Sequence, residues 1–195
     1  MSKNRIDSFA AYAGLATVLV EWLALLLYFL QQPAYFGGKY PISYFATLPQ
    51  TKLIFTLCYV LAGLFFWIFV RHHLHKFYPA PLKIIGLSMI LFALLAIVPF
   101  NPTDPVSDVI HSTLGWSSAV LFAGGLFIMA RNAKDKYVYR ASLIAALLST
   151  LLILAFAISP KESNLIFAFE SGSWLVWQLW IFWITYYTYK HKGVK

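Results

Sequence analysis

Apolar residues along the chain gather into six blocks, at about residues 9–30, 52–70, 82–100, 110–130, 141–159 and 165–188, separated by short polar joints. Each block is close to the roughly 20 residues an α-helix needs to cross the hydrocarbon of a bilayer. The pattern therefore predicts an all-α integral membrane protein: one domain, 1–195, of six transmembrane helices. The joints carry residues that stop helices, namely Gly37 and Gly38, Pro79 and Pro81, Pro99 and Pro102, and Ser159 with Pro160. The ten-residue alternation of a membrane β-barrel is absent. The longest joint, 31–50, is rich in Tyr and Phe; it reads either as a lid over an outer opening or as an aromatic belt at the bilayer interface.

Composition removes the alternatives to a membrane bundle. Of 195 residues, 61% are hydrophobic and 11% charged, with a mean hydropathy of +0.71, whereas soluble domains carry roughly 25% charged residues. A soluble globular fold, a disordered chain and a coiled coil are all excluded. The lone cysteine, Cys58, leaves no intramolecular disulfide and no cysteine-based zinc site. The basic N-terminal segment resembles the start of a signal peptide but leads into an apolar run with no small-residue cleavage site, so it is expected to remain as the first span.

Charge sets the orientation. With the N-terminus inside, twelve of the fifteen Lys and Arg residues fall on inner joints and termini, leaving Lys39, Lys52 and Lys161 outside. The positive-inside rule then places both termini in the cytoplasm of a multi-pass cell-membrane protein. The formal charge of +8 would suggest nucleic acid for a soluble chain. Here the basic residues flank apolar blocks, and membrane lipid headgroups are the partner they fit.

Ionisable residues inside spans are costly in lipid and tend to face a bundle interior, so they are the candidate functional groups. Glu21 shares a helix face with Ala10, Gly14, Thr17 and Ala24, all small, and is expected to point inward. Glu170 sits in Phe169-Glu170-Ser171-Gly172-Ser173, just before Trp174, Trp177, Trp180 and Trp183. A spacing of three drifts around a helix of 3.6 residues per turn, so the tryptophans cannot all line one cavity. Trp174 and Trp177 are candidates for a binding wall, and packing or interfacial anchoring accounts for the series otherwise.

The densest polar cluster precedes span 4. Asp104 before Pro105 reads as an N-cap followed by a first-turn proline, so the helix is expected to start there. Asp108 and His111 share a face with Gly115, Ala119 and Ala123. An Asp-x-x-His pair can hold a general base in one tautomer, supply metal ligands or relay protons. Asp108 and His111 are thus candidate catalytic residues, and Asp108, His111 and Glu170 a candidate set for a divalent metal; an ordinary helix-start network explains the same residues. His72, His75 and His191 lie in basic segments at helix ends. No nucleotide-binding loop and no haem-attachment motif occurs.

The run Ile97-Val98-Pro99-Phe100-Asn101-Pro102-Thr103-Asp104, followed by Asp108-x-x-His111, resembles the prokaryotic six-span membrane family catalogued as domain of unknown function 998. That resemblance implies an integral membrane protein and draws attention to Asp104 and His111 without implying a reaction. Ser107-x-x-x-His111 also looks like part of the serine-histidine motif of the membrane hydrolase superfamily that contains alkaline ceramidases and progestin-type receptors. Those proteins carry a paired His-x-x-x-His on a late span, and this chain has no histidine between His111 and His191.

Three function classes follow. The first is a binding protein whose outer-half cavity, formed by Glu21, Ser107, Asp108, His111, Glu170, Trp174 and Trp177, holds a lipid or small amphiphile. The second is a lipid-directed hydrolase or transferase, with or without a divalent metal, using Asp108 and His111. The third is a proton-coupled transporter with Glu21 as the titrating group. The small-residue faces also suit contacts with a second copy or a partner membrane protein.

Overall fold

A computed structural model describes residues 3–35, 42–79, 81–98, 104–160 and 165–191. Among these the chain is helical, with no strand: α1 (Lys3–Gln31), α2 (Pro49–His72), α3 (Leu82–Leu95), α4 (Pro105–Asn132), α5 (Lys136–Ile158) and α6 (Leu165–Lys190), with short 3-10 turns at Pro33–Tyr35, Ile42–Ala46 and Leu74–Lys76. The proline-rich turn 99–103 and the joint positions 36–41 and 161–164, on which parts of the sequence reading rest, lie outside the described residues.

Each helix packs on the next in the sequence, and α6 returns to α1, so the six close into a ring. Small residues make the close approaches. A Cβ on Gly14 of α1 would collide with the Thr185 hydroxyl of α6 and press on the Phe69 ring of α2, so only glycine fits where these helices meet. Ser118 of α4 donates to the Ser88 carbonyl of α3 at 2.8 Å, and Thr17 of α1 donates within its own helix to Ala13 at 3.0 Å.

Outside the ring, large apolar side chains are exposed along every helix, Leu19, Leu53, Ile90, Val120, Leu151 and Leu179 among them. Four helices are long and apolar enough to cross a membrane: 9–31 within α1, 49–76 including α2, α4 and α5. The span expected at 82–100 is shorter in the structure, because α3 ends at Leu95 and turns through Ala96 to Val98. At about 1.5 Å per residue α3 covers roughly 21 Å, less than the roughly 30 Å of hydrocarbon. Val98 stands immediately before Pro99, and the residue before a proline is disfavoured in helix.

Inside, the ring is packed unevenly. A dense core of Phe66, Phe69, Ile85, Phe122, Leu126 and Ile181, with their neighbours, fills the end at which α2 meets α3 and α4 meets α5. A smaller cluster, including Tyr28, Phe45, Phe55 and Tyr59, lies towards the opposite end.

Asp135 fixes the α4–α5 turn. It is the N-cap of α5, accepting from the backbone N–H of Tyr137 at 2.8 Å and Val138 at 3.1 Å, and it also accepts from the Tyr187 hydroxyl of α6 at 2.7 Å. Partial burial pushes its carboxyl up, but the bonds from Tyr187, Val138 and Tyr137 outweigh that and hold it below its usual value. Asp135→Ala is expected to lower stability by about 1 kcal/mol through loss of the cap. Because the folded carboxyl titrates below its unfolded value, this contribution is present above roughly pH 4 and is lost as pH falls through the folded value. Thermal unfolding of both proteins across that range checks this: the gap between them closes on acidification, and a gap independent of pH contradicts it.

Candidate functional site

A cavity of about 210 Å³ lies within the ring at the end occupied by the Ile42–Ala46 turn. Topology explains its place. The N-terminal parts of α2, α4 and α6 and the C-terminal parts of α3 and α5 all reach this end, and α3 stops early. Phe55 and Tyr59 come from α2, Phe92 and Leu95 from α3, His111 to Ala119 from α4, Leu152 to Phe156 from α5, and Phe169 to Trp177 from α6. Phe122 of the dense core is stacked on Trp177 of the cavity wall, 4.5 Å between ring centroids, so the core borders the cavity there.

Of the residues expected from sequence, His111, Glu170, Trp174 and Trp177 line this space together. The inward face of α4 runs as the register requires: His111 is 5% exposed, Gly115 and Ala119 border the cavity, and Ala123 is buried below it. Asp104 caps α4 as expected, accepting from the Val106 N–H at 3.1 Å, with Pro105 in the first turn. Ser107 and Asp108 are partly exposed and do not line the cavity.

Nor does Asp108 orient the histidine. His111 Nδ1 lies 2.6 Å from the Val98 carbonyl and so donates to it, a role the Asp-x-x-His spacing had suggested for Asp108. The physical reason lies in the early end of α3. Carbonyls in and beyond the last turn of a helix need partners, and here two are supplied from neighbouring helices. Thr56 of α2 donates to the Ala96 carbonyl at 2.9 Å, and His111 of α4 takes the Val98 carbonyl. Among the described residues no group of three His, Cys, Asp or Glu side chains is placed to hold a metal ion. Asp108, His111 and Glu170 therefore do not converge into the three-ligand set that the sequence suggested.

Glu170 faces the joint between α1 and α2. Its carboxylate accepts from the backbone N–H of Ile42, and the backbone N–H and hydroxyl of Ser43 are also directed at it. Ile42 and Ser43 line the cavity, while Phe45 is fully buried and stacked on Tyr28 at 5.1 Å. This part of the joint is held on the bundle beside the cavity, with Glu170 as its clasp.

Glu21 is 1% exposed and lies behind the cavity wall. It accepts from Trp174 Nε1 at 2.9 Å and from the Gln178 amide, so one carboxylate oxygen joins α1 to two successive turns of α6. Its other oxygen and the Gln178 carbonyl oxygen are buried with no hydrogen-bond partner among the described residues. Trp177 Nε1 instead donates to Ser149 of α5 at 3.1 Å, and Trp180 Nε1 to Ser142 at 3.2 Å. The drift expected of a three-residue spacing is thus visible in the partners, which pass from α1 to α5 along α6.

Sequence reasoning missed Gln178, Ser142 and Ser149. A signal was present for the serines, which stand seven residues, or about two turns, apart on α5 and so share a face. Gln178 follows Trp174 by four residues, the spacing that lets both reach the same partner. Comparison of the chain with protein-family models, with curated proteins and with solved structures gave no match.

Proposed function

We propose that this chain is a six-span protein of the cell membrane, with both termini cytoplasmic, that holds a lipid or other small amphiphile in the cavity of its outer half. The observation that carries the reading is the cavity itself, a space walled mainly by apolar and aromatic side chains and bordered by a few convergent polar groups, His111 and Glu170 among them. Its volume of about 210 Å³ exceeds the roughly 150 Å³ of an engineered cavity that admits benzene. It falls short of the roughly 300–1,000 Å³ typical of drug-sized sites. One end of an amphiphile fits that space, with the remainder leaving between helices into lipid. The apolar exterior and the positive-inside bias support the membrane setting and the orientation. The six-span plan and the motif beside His111 are in keeping with the domain of unknown function 998 family.

The binding reading is favoured over a hydrolase because Asp108 stands away from the cavity and His111 Nδ1 serves the end of α3. Native mass spectrometry of the detergent-released protein tests it. The expected result is one amphiphile per chain that survives removal of the detergent. A chain that emerges bare, and that takes up no added alkyl amphiphile, contradicts the proposal.

A further inference from the structure

The charged groups around the cavity are unbalanced in a way that selects a headgroup. Three tryptophans line it; Trp116 packs on Phe156 at 5.4 Å, and the other two turn their N–H donors elsewhere, Trp174 to Glu21 and Trp177 to Ser149. Trp174 and Trp177 therefore offer the cavity aromatic carbon in place of donors. His111 donates through Nδ1 to Val98, which in the neutral ring makes Nε2 an acceptor. Glu170 contributes a carboxylate, whose sites for about four donors are partly taken by Ile42 and Ser43. No Lys or Arg lines the cavity among the described residues. Lys52, at the same end of the bundle, is exposed on the outside. Asp108 stands one turn before His111, and Asp104 one turn before that, so the nearest charges on α4 are also acidic.

Eight of the lining residues are Phe, Tyr or Trp. A cation near an aromatic face is attracted by the negative face of the ring, most strongly when water is excluded. An anion here would meet Glu170 and, among the described residues, no counter-charge in the lining, and burial of an unpaired charge is strongly unfavourable. The geometry points to a ligand whose polar end is an ammonium group, primary or quaternary, carried on an alkyl or aryl body. This rests on the reading of the cavity as an amphiphile site and names the headgroup that site takes. A cationic lipid headgroup and a free long-chain amine share this chemistry.

The test is a headgroup series at constant chain length on the full protein in a neutral maltoside detergent: octyltrimethylammonium, 1-octanol and octyl sulfate, with saturable binding followed by calorimetry. Octyltrimethylammonium is expected to bind about tenfold more tightly than octanol, and octyl sulfate more weakly than both. Glu170→Gln is expected to weaken the ammonium probe by a larger factor than octanol. The series on the unaltered protein decides the matter even where the variant fails to fold. Octanol and octyl sulfate binding as well as the ammonium probe would overturn the headgroup assignment while leaving the amphiphile site intact. Saturable binding of none of them would overturn both. Octylphosphocholine, at the same chain length, separates the sources: tighter binding than octyltrimethylammonium supports a lipid headgroup, and weaker binding supports a free amine.

Discussion

Glu21→Ala is expected to destabilise the bundle by about 4 kcal/mol, the combined cost of two buried donors left without their acceptor at roughly 1–3 kcal/mol each. The donors are Trp174 Nε1 and the Gln178 amide, both on α6, and the acceptor is a single carboxylate oxygen from α1. The contact between α1 and α6 closes the helical ring, so the loss is expected where the chain's ends are joined. Glu21→Gln keeps an oxygen at that point as an acceptor for both donors and is expected to lose much less than the alanine variant. Equilibrium unfolding in mixed micelles measures both. An alanine variant within about 0.5 kcal/mol of the parent, the range of an ordinary surface change, would mean that this buried node does not hold the ring closed.

The second large effect is on ligand capacity. Gly115 borders the cavity on α4, and a Cβ added there would meet only the Leu95 side chain, at 3.8 Å and 3.9 Å. Gly115→Leu can therefore extend into the space without displacing backbone. Binding of an alkyl amphiphile is expected to fall about a hundredfold, since about 2–3 kcal/mol of apolar burial is taken by the protein's own side chain. Stability is expected to rise by roughly 0.5–1 kcal/mol, because glycine inside a helix costs that much relative to alanine. Calorimetric binding and thermal unfolding of the same variant separate the two effects. Unchanged affinity in a folded Gly115→Leu protein would place the amphiphile elsewhere.

The readable part of this fold was the part set by single helices. Periodic apolar blocks mark six helices, Asp104 with Pro105 marks the start of α4, and the small residues around Glu21 and His111 mark the faces they turn inward. Each of these depends on neighbours within one or two turns. The end of α3 was not readable, because the apolar run continues through Ala96, Ile97 and Val98, and nothing in it distinguishes helix from turn until Pro99 restricts the residue before it.

The partners across helices were harder still. Sequence puts Asp108 and His111 on one face, but the early end of α3 leaves a carbonyl for His111 and leaves Asp108 away from the cavity. The convergence of Trp174 and Gln178 on Glu21 depends on the rotation of α6 against α1, which no local pattern fixes. The bond from Ile42 to Glu170 joins residues 128 apart and depends on the path of a joint with no periodicity of its own.

The most direct test of the amphiphile site is to map where an amphiphile sits. An octyl chain carrying a terminal diazirine, photolysed with the full protein in lipid nanodiscs and located by peptide mass spectrometry, reports the residues it touches. The expected labels are on cavity residues such as Trp116, Phe156 and Ser173, removed by excess unlabelled octyl amphiphile and absent from Gly115→Leu. Labels confined to lipid-facing residues such as Leu151 and Ile158, unaffected by competitor, would contradict the account.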